Sequence, residues 1–426
     1  MKITFLCLGS RGDVQPYVAI GKTAIAKGHS VTICTGKTFQ KFVEQNGLVF
    51  QECSIDLMAL LQTKEGKQMF DEGMKHPIKA MKYAKKVVNP LFRKAMTEFY
   101  HICKTVDVIV YHPKAFAAVD IAEKLDILCI SMPPVPIICP IEKFPNLAIT
   151  TKNLGAILNK LTYQLFNLGA ESNNIKDIND FRENELFLRK RKAGVYMTRR
   201  NNLQLPIIYP ISPNLFLDVK EFSKEFKNNV VLTGFPILED TESLDQDTSN
   251  FLNEGKKPIV ITFSSMPLKD PESFISKIRS ALIKTNNRGI ILIGNSGIQM
   301  SSDKVILFKD YISHDLILKN AKGIVHHGGV GTMAAALRSG KPQVIMPFNV
   351  DQPFWAKRLF DLGYTSQPLN EKSEEDEFMT SFRSMDHNEI IQQAEKIAKT
   401  IHQEKPNEKA VEQIEQLYEK WNNKHE

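Results

Sequence analysis

The chain has 426 residues, of which 42% are apolar and 24% are charged. This is the composition of a globular protein with enough apolar side chains for two domains, and it argues against a disordered chain. No apolar run reaches the roughly 20 residues of a membrane-spanning helix, and the opening KITFLCLG is too short, and too soon interrupted by Arg11 and Asp13, for a signal peptide.

Charge and cysteine usage narrow the class of protein further. Residues 1–230 hold 32 Lys and Arg against 21 Asp and Glu, which gives this half a net charge of +11 and leaves −4 for the rest. Such asymmetry suggests contact with an anionic surface or polymer, although a solvated lysine-rich exterior explains it equally well. All six cysteines lie in the first third without a close CxxC pair. We therefore expect buried thiols and a cytoplasmic location rather than disulfides or a metal.

Strand-like runs alternate with helical stretches along the chain. The first series is ITFLCLG, SVTIC, VDVIVY and DILCIS, with a helix predicted over YVAIGKTAIAKG that starts after Pro16 and stops at Gly28. The second series is KKPIVITFSS, GIILIG, VILFKDY, KGIVHHGG and KPQVIMPF. This alternation predicts an α/β protein with two Rossmann-like, doubly wound parallel sheets, whose ligands bind in a cleft at the carboxyl ends of the strands.

A polar, acidic and turn-rich stretch separates the two series and is predicted to contain the linker. We expect a first domain over residues 1–236, a linker over 237–257 and a second domain over 258–400. A C-terminal helix is expected within 401–426, and whether it packs back on the first domain is left open.

The turn GSRGDVQP after the first predicted strand raises a question of charge. A glycine turn before a helix commonly binds phosphate, because the amides of the helix start point at the anion. Asp13 lies in this turn, and a carboxylate there would repel a phosphate. Either the turn binds no phosphate or Asp13 faces elsewhere, and a helix N-cap is an alternative role for Asp13.

The stretch from Gly323 to Leu359 is the most informative part of the sequence. A predicted strand ends at His326, a loop with three glycines follows, and Thr332 stands at the start of a predicted helix. Bare amides and a helix dipole favour an anion, to which His326 or His327 could add a donor or a charge. The loop matches neither the Rossmann GxGxxG nor the Walker lysine motif, so nicotinamide and ATP sites are disfavoured.

The chain resembles the UDP-glycosyltransferases of the GT-B fold, in the sterol glucosyltransferase-like and antibiotic glycosyltransferase-like branch. The motifs that carry the resemblance are GSRGDVQPYVAIG, YPISPNLF, VVLTGFP, ITFSSMP and HHGGVGT, followed by DQPFWA. The resemblance implies two Rossmann-like domains that face a central cleft. The first domain would bind the acceptor, and the second would bind the nucleotide sugar.

The resemblance also implies roles for individual residues of the second domain. His326 would contact the donor diphosphate, and Asp351 with Gln352 would bind the sugar hydroxyls. The remaining donor-side residues are Ser265 at the phosphates, Ile312 at the nucleobase with His314 nearby, and Gly329, Gly331 and Thr332 in the anion loop. Each of these roles has a purely structural alternative. The histidines could end a strand in the core, the Asp-Gln pair could form an ordinary turn, and Trp355 could serve in packing.

On the acceptor side the resemblance makes Asp13 the general base, with Ser10, Arg11 and Gly12 beside it. His112 ends a strand predicted to neighbour the first. It is therefore a candidate second catalytic residue in a proton relay with Asp13, or a structural histidine.

We therefore expect an inverting glycosyltransferase that moves a hexose from a UDP-sugar to a hydroxyl of a lipophilic acceptor. Glucose is the first candidate for the hexose. No cofactor or metal and no nucleic-acid partner is expected, and the protein would be a monomer or a weak dimer. Three alternatives stay open: a TDP-sugar-dependent natural-product glycosyltransferase, a nucleotide-sugar epimerase, and a non-catalytic nucleotide-sugar-binding protein.

The acceptor is the least determined part of the prediction. Residues 132–200 contain apolar patches that suit a roomy pocket for a sterol, terpenoid, flavonoid, polyketide or lipid, or that form ordinary core helices. The basic stretch from Gly73 to Lys94 has no acidic residue. It is either a solvated face or a peripheral contact with an anionic membrane, with a helix limited by Pro77 and Pro90 to about three turns.

Overall fold

A computed structural model describes residues 1–66, 68, 79, 82–216, 222, 224–226, 228–239, 243–263, 270–294, 296, 298, 301–348 and 351–423. The chain divides into two compact units. Unit 1 consists of Met1–Leu238 and Lys405–Glu426, and unit 2 consists of Glu239–Glu404. The first boundary between the units falls inside the stretch 237–257 that the sequence predicts to be a linker.

Unit 1 is built on a seven-stranded sheet with strand order β3-β2-β1-β4-β5-β8-β9, and each printed pairing in it is parallel. Its strands are β1 Lys2–Leu6, β2 Ser30–Thr35, β3 Val49–Glu52, β4 Val108–Tyr111, β5 Leu128–Ser131, β8 Ile207–Tyr209 and β9 Val230–Leu232. A separate antiparallel pair joins β6 Arg199–Arg200 to β7 Leu203–Gln204. The strands β1, β4 and β5 are mostly apolar and almost entirely buried, as expected for a sheet covered on both faces.

The helices of unit 1 cover the two faces of this sheet and contribute to two hydrophobic clusters. They are α1 Arg11–Ala26, α2 Gln40–Gln45, α3 Leu57–Gln62, α4 Asn89–Cys103, α5 Ala118–Leu125, α6 Ala156–Ser172, α7 Ile175–Phe181 and, after unit 2, α15 Pro406–Asn422. All six cysteines are buried and free.

Helix α1 begins at Arg11, six residues earlier than the sequence predicts. Ser10 is the N-cap and Asp13 occupies the third helical position, so that the two form a capping box. Pro16 therefore lies inside the helix rather than at its start. The helix ends at Ala26, just before Gly28, whose φ of +87° supports the predicted stop.

The basic stretch from Gly73 to Lys94 is described only at residue 79 and from residue 82 onward, so Lys75 and Pro77 lie outside the described residues. A π-helical segment, Ala84–Val88, leads directly into α4. Pro90 does not end the helix as predicted. It occupies the first turn of α4, where a missing N–H is tolerated.

Unit 2 has a five-stranded sheet with order β12-β11-β10-β13-β14, again with parallel pairings. Its strands are β10 Ile259–Thr262, β11 Gly289–Leu292, β12 Ile306–Lys309, β13 Gly323–His326 and β14 Gln343–Ile345. Its helices are α8 Gln246–Asn253, α9 Pro271–Lys284, α10 His314–Ile317, α11 Val330–Ser339, α12 Gln352–Asp361, α13 Glu375–Ser384 and α14 Asn388–His402.

Helix α8 lies within the stretch predicted to contain the linker. It begins after Asp245, whose carboxylate accepts the backbone N–H of Thr248 at 2.9 Å, and its Phe251 packs in a core cluster of unit 2. The acidic composition of this stretch reflects helix capping as much as solvent exposure.

The final helix, α15, packs on unit 1. Ala410, Val411 and Ile414 are buried in the cluster that also holds residues of β1 and α1. His29 Nε2 lies 2.8 Å from Glu415 Oε1. Within the described residues, no helix combines the length and the apolar composition required to cross a membrane.

Candidate functional site

Each sheet reverses its strand order at one point, and the candidate residues cluster at these two points. In unit 1 the order reverses between β1 and β4, which pair in parallel from Ile3 and Val108 onward. In unit 2 it reverses between β10 and β13. The loops at the carboxyl ends of such neighbouring strands form the usual ligand crevice of doubly wound sheets.

The glycine turn after β1 holds a carboxylate. Gly9 has a φ of +144°, and a Cβ on it would stand 2.0 Å from Asp13 Oδ2, so only glycine allows this close approach. Asp13 Oδ2 accepts the backbone N–H of Ser10 at 2.7 Å and the Ser10 hydroxyl at 3.1 Å. The turn that suggested a phosphate site in the sequence therefore positions Asp13 instead.

His112 and Lys114, from the loop after β4, complete the surroundings of Asp13. His112 Nε2 lies 3.2 Å from Asp13 Oδ1, and Lys114 Nζ donates to Asp13 Oδ2 at 3.1 Å. The backbone N–H of Lys114 donates to His112 Nδ1 at 3.0 Å. Because Nδ1 accepts this bond, the proton of the neutral ring resides on Nε2 and is donated to Asp13.

The electrostatics of this cluster keep Asp13 ionised. Burial alone would raise the pKa of Asp13, but the hydrogen bond from His112, the charge of Lys114 and the Ser10 N–H outweigh it and hold that pKa well below its usual range. Burial, against the opposing effect of Asp13, lowers the pKa of His112. The site at neutral pH is therefore a carboxylate with a neutral imidazole and an ammonium group.

This geometry bears on the predicted relay. A neutral His112 that already carries its Nε2 proton orients Asp13 but cannot accept a further proton at that nitrogen. Its Nδ1 is occupied by the Lys114 N–H. His112 is therefore a positioning residue for Asp13 in this structure. Arg11 is exposed, and its guanidinium lies 4.2 Å from the ring centroid of Phe42.

In unit 2 the loop between β13 and α11 has the features of an anion site. Gly329 is the N-cap of α11 and provides no capping side chain, so the first-turn amides of Val330, Gly331 and Thr332 carry no cap from this residue. A Cβ on Gly331 would meet open space, whereas one on Gly328 would stand 2.9 Å from Ile345. The loop thus presents bare backbone at a helix start, the arrangement that favours a phosphate.

The structure argues against a direct contact between His326 and a diphosphate. The side chain is fully buried, its Nε2 bonds Gln343 Oε1 at 2.9 Å, and its Nδ1 accepts the Gly328 N–H at 3.1 Å. Burial lowers the pKa of His326 to about 3, so it is neutral. Both ring nitrogens are used to fix the loop, which favours a structural role for His326 over the predicted contact.

His327 is the histidine placed at the helix start. Its Nε2 lies only 2.3 Å from the position that a Cβ on Gly329 would take, so the ring covers the N-cap of α11. Its Nδ1 is buried without a hydrogen-bond partner in the described part of the chain. Burial, followed by the charge of His314, lowers the pKa of His327 to about 4. Successive side chains of a strand point to opposite faces. This alternation is the sequence signal that could have predicted different surroundings for His326 and His327.

Asp351 and Gln352 stand at the start of α12, where neighbouring groups orient both. The indole Nε1 of Trp355 donates to Asp351 Oδ2 at 2.9 Å, and the backbone N–H of Phe348 donates to Gln352 Oε1 at 2.9 Å. Trp355 is fully buried, which favours packing over a sugar platform. The sequence did not indicate that Trp355 orients Asp351.

The structure gives less information about the other residues predicted to bind the donor. Ile312 is buried in a core cluster of unit 2, and His314, at the start of α10, has its pKa lowered by burial to about 4. Ser265 lies outside the described residues, so its predicted contact is not placed. Among the described residues, no group of three or more His, Cys, Asp and Glu is arranged to hold a metal ion.

Two family models match separate parts of the chain, the first within unit 1 and the second mostly within unit 2. Residues 3–137 match the glycosyltransferase family 28 N-terminal domain. Residues 296–417 match the erythromycin biosynthesis protein CIII-like C-terminal domain.

Curated relatives are sterol glucosyltransferases. The chain is 28% identical over 425 residues to a sterol 3-beta-glucosyltransferase of Komagataella phaffii, covering 95% of this chain and 33% of the relative. It is 31% identical over 387 residues to a sterol 3-beta-glucosyltransferase of Arabidopsis thaliana, covering 87% of this chain and 58% of the relative. The chain therefore spans about a third of the fungal protein and somewhat over half of the plant protein.

Solved structures share the architecture. The glycotransferase of kitacinnamycin superimposes with a TM-score of 0.70 at 16% identity, covering 98% of both chains. A likeness at this identity concerns the fold alone, and it confirms the GT-B arrangement of parallel sheets in two domains that the sequence predicts.

Proposed function

Because this chain belongs to the GT-B glycosyltransferases, in the sterol glucosyltransferase-like and antibiotic glycosyltransferase-like branch, we propose that it transfers a hexose from a nucleotide sugar to a hydroxyl of a lipophilic acceptor. The names of the curated relatives support a sterol or a similar alcohol as acceptor and glucose as the sugar. UDP is the proposed nucleotide, and TDP is the alternative.

The observation that carries this proposal is the surroundings of Asp13. A carboxylate is held at the carboxyl end of β1 by a glycine that no other residue could replace without displacing it, and by four donors from Ser10, His112 and Lys114. A helix cap alone requires only the Ser10 contact. The additional donors from the loop after β4 support a chemical role for Asp13.

In the proposed reaction the acceptor oxygen attacks the anomeric carbon of the sugar, and the bond from that carbon to the diphosphate oxygen breaks. The diphosphate leaves with the bonding electron pair, and Asp13 takes the proton of the attacking hydroxyl, a contribution of about 10²–10⁴-fold. This direct displacement inverts the anomeric centre. To reach Asp13 Oδ2, the hydroxyl displaces the ammonium of Lys114, whose side chain is 45% exposed.

On the donor side, we propose that the amides at the start of α11 and the ring of His327 receive the diphosphate. The helix dipole offsets the charge that develops on the leaving group, so the proposal requires no metal ion. Asp351 and Gln352 would bind the sugar hydroxyls, in orientations fixed by Trp355 and Phe348.

The deciding experiment is a mass-spectrometric screen of UDP- and TDP-hexoses against sterols, terpenoid alcohols, phenols and fatty alcohols. A hexosylated acceptor is expected, and NMR of the isolated product should show the opposite anomeric configuration to the donor. A product formed from the nucleotide sugar alone would indicate an epimerase. Nucleotide binding without any product across the panel would indicate a non-catalytic binding protein. Strong inhibition by EDTA that Mg²⁺ or Mn²⁺ reverses would contradict metal independence.

A further inference from the structure

Helix α6, Ala156–Ser172, is amphipathic, but its polar face is buried and its apolar face is exposed. Its buried residues are mostly polar, whereas its apolar residues face the solvent, with Ile157 80% exposed and Leu165 55% exposed. The exposed apolar face is Ile157, Leu158, Leu161, Leu165 and Leu168. We call it the leucine face. The sequence pattern had suggested an acceptor pocket or a core helix, and for these five side chains the core alternative is wrong.

Hydrogen bonds fix this orientation of α6. Its buried polar side chains bond the loop before the helix and the segment after α7. The bonds are Asn159 Nδ2 to Glu142 O at 2.8 Å, Asn146 N to Thr162 Oγ1 at 2.8 Å, Asn167 Nδ2 to Ile138 O at 3.0 Å, and Gly194 N to Glu171 Oε2 at 2.6 Å. A rotation that buried the leucines would break all of these, at about 1–3 kcal/mol for each unsatisfied group. The sequence therefore specifies an outward leucine face.

Part of the leucine face lines an open groove of about 760 Å³ in unit 1. The apolar part of its lining is Pro140, Ile157, Leu161, Leu168, Val195 and Phe226. Leu158 and Leu165 lie outside the groove, so the apolar surface is wider than the groove itself. Exposed apolar surfaces of this extent mark sites of contact with proteins or membranes.

The charges around the leucine face distinguish a protein partner from a membrane as its occupant. Lys160 and Arg199 line the groove and pair with Glu142 and Glu225, while Lys224 also lines it. The exposed Lys152 and Lys192 stand just before α6 and just before the lining residue Ala193. Cations thus outnumber acids. A second copy would bring the same excess of positive charge to the contact, whereas an anionic lipid surface brings the opposite charge.

We infer that the leucine face of α6 docks unit 1 on an anionic lipid bilayer, with the leucines inserted among the acyl chains near the headgroups and the flanking lysines at the phosphates. Apolar insertion and electrostatic attraction are the two terms that hold interfacial helices on membranes. The occupant is a lipid surface, and the inference does not depend on the transferase activity.

The test is co-sedimentation of the full chain with vesicles of phosphatidylcholine alone and of phosphatidylcholine with phosphatidylserine, without donor or acceptor. The wild type is expected to bind the anionic vesicles. The triple variant Ile157→Gln, Leu161→Gln, Leu165→Gln is expected to bind them at least about 10-fold more weakly, because three inserted side chains are lost. These side chains are exposed, so thermal unfolding is expected to stay unchanged.

A matched control replaces exposed apolar residues elsewhere, Leu203→Gln with Ile283→Gln, and is expected to bind within about twofold of the wild type. A second variant changes Lys79, Lys82, Lys85 and Lys86 to Gln and tests the basic segment before α4 as the competing contact. The inference is overturned if the wild type does not bind anionic vesicles, if the leucine variant binds as the wild type does, or if only the lysine variant loses binding. Light scattering that shows a dimer in the wild type and a monomer in the leucine variant would assign the face to a second copy instead.

Discussion

The two points of strand-order reversal use the same sheet geometry for opposite electrostatics. In unit 1 the loops after β1 and β4 bring together an ionised carboxylate, a neutral imidazole and an ammonium group, all from side chains. In unit 2 the loop after β13 offers backbone amides at a helix start, and the side chain that ends the strand, His326, is buried and neutral. This difference supports our proposal that the first site handles a proton and the second receives an anion.

Glycine has a different function in each loop. Gly9 makes room for a side chain, the carboxylate of Asp13, whereas Gly329 makes room for the ring of His327 and leaves the helix start uncapped. A glycine-rich turn after a strand therefore does not by itself indicate a phosphate site. The residue that fills the space left by the missing Cβ decides the chemistry.

The largest effect is expected from Asp13→Asn. This change keeps the shape of the side chain but removes the proposed base, so transfer to an alcohol should fall at least about 100-fold. The UDP dissociation constant, measured by calorimetry, should be unchanged because the donor groups lie in unit 2. Asp56→Asn, which also replaces a capping carboxylate in unit 1, controls for the loss of a helix cap. Near-normal turnover of Asp13→Asn would remove Asp13 from the mechanism.

The next effect separates the two adjacent histidines of unit 2. His326→Ala should lower the free energy of unfolding by about 2–4 kcal/mol, because Gly328 N–H and the Gln343 amide lose their buried partner. His327→Ala should instead weaken UDP binding about 10-fold with little change in stability. Calorimetry and thermal unfolding of both variants test the pair. The reverse pattern would return the diphosphate contact to His326.

Lys114→Met tests the electrostatics of the unit 1 site through the pH dependence of activity. Lys114 helps to hold the pKa of Asp13 below its usual range, so its removal should move the acid limb of the kcat/KM profile to higher pH. A depressed carboxylate pKa also contributes stability that is present above pH about 4 and is lost as the pH falls. The variant should therefore lose less stability on acidification than the wild type. Lys160→Met, which removes a lysine of similar exposure that pairs with Glu142, should leave the profile unchanged.

The smallest effect is expected from Trp355→Phe. The change removes the N–H that holds Asp351 Oδ2 while keeping most of the buried ring. The KM for the nucleotide sugar should rise a few-fold, about 3–10, with kcat nearly constant. Steady-state kinetics with the donor varied will show this. A fall in kcat at unchanged KM would mean that Asp351 acts in the chemical step rather than in sugar binding.

The fold was largely predictable because its central strands are β-branched runs that are buried on both faces. Four runs predicted in the first series and five in the second coincide with strands β1, β2, β4, β5 and β10 to β14. The strands that escaped prediction are β3, whose sequence VFQE is mostly polar or exposed, the two-residue strands β6 and β7, and the three-residue strands β8 and β9. Such short segments do not establish a period, and their pairing depends on neighbours that are distant in sequence.

The candidate site was less predictable, because its geometry depends on contacts between distant segments. Asp13 could be singled out from its turn, and the parallel neighbour of β1 suggested His112. Lys114 gave no signal beyond its proximity to His112. The choice between His326 and His327 depends on Gln343, which lies on the next strand. The orientation of α6 was likewise hidden, since its polar side chains are buried by hydrogen bonds to loops rather than by helical periodicity.

Because the last helix belongs to unit 1, unit 1 can complete its fold only after unit 2 has been synthesised. Residues of α15 such as Val411 and Ile414 fill the same core as β1 and α1, yet the ribosome adds them only after all of Glu239–Glu404 has been made. During translation, unit 2 can complete its sheet while unit 1 still exposes the apolar surface that α15 will cover. A chain that lacks the residues from Lys405 onward should therefore contain a folded unit 2 and an incomplete unit 1 that binds chaperones.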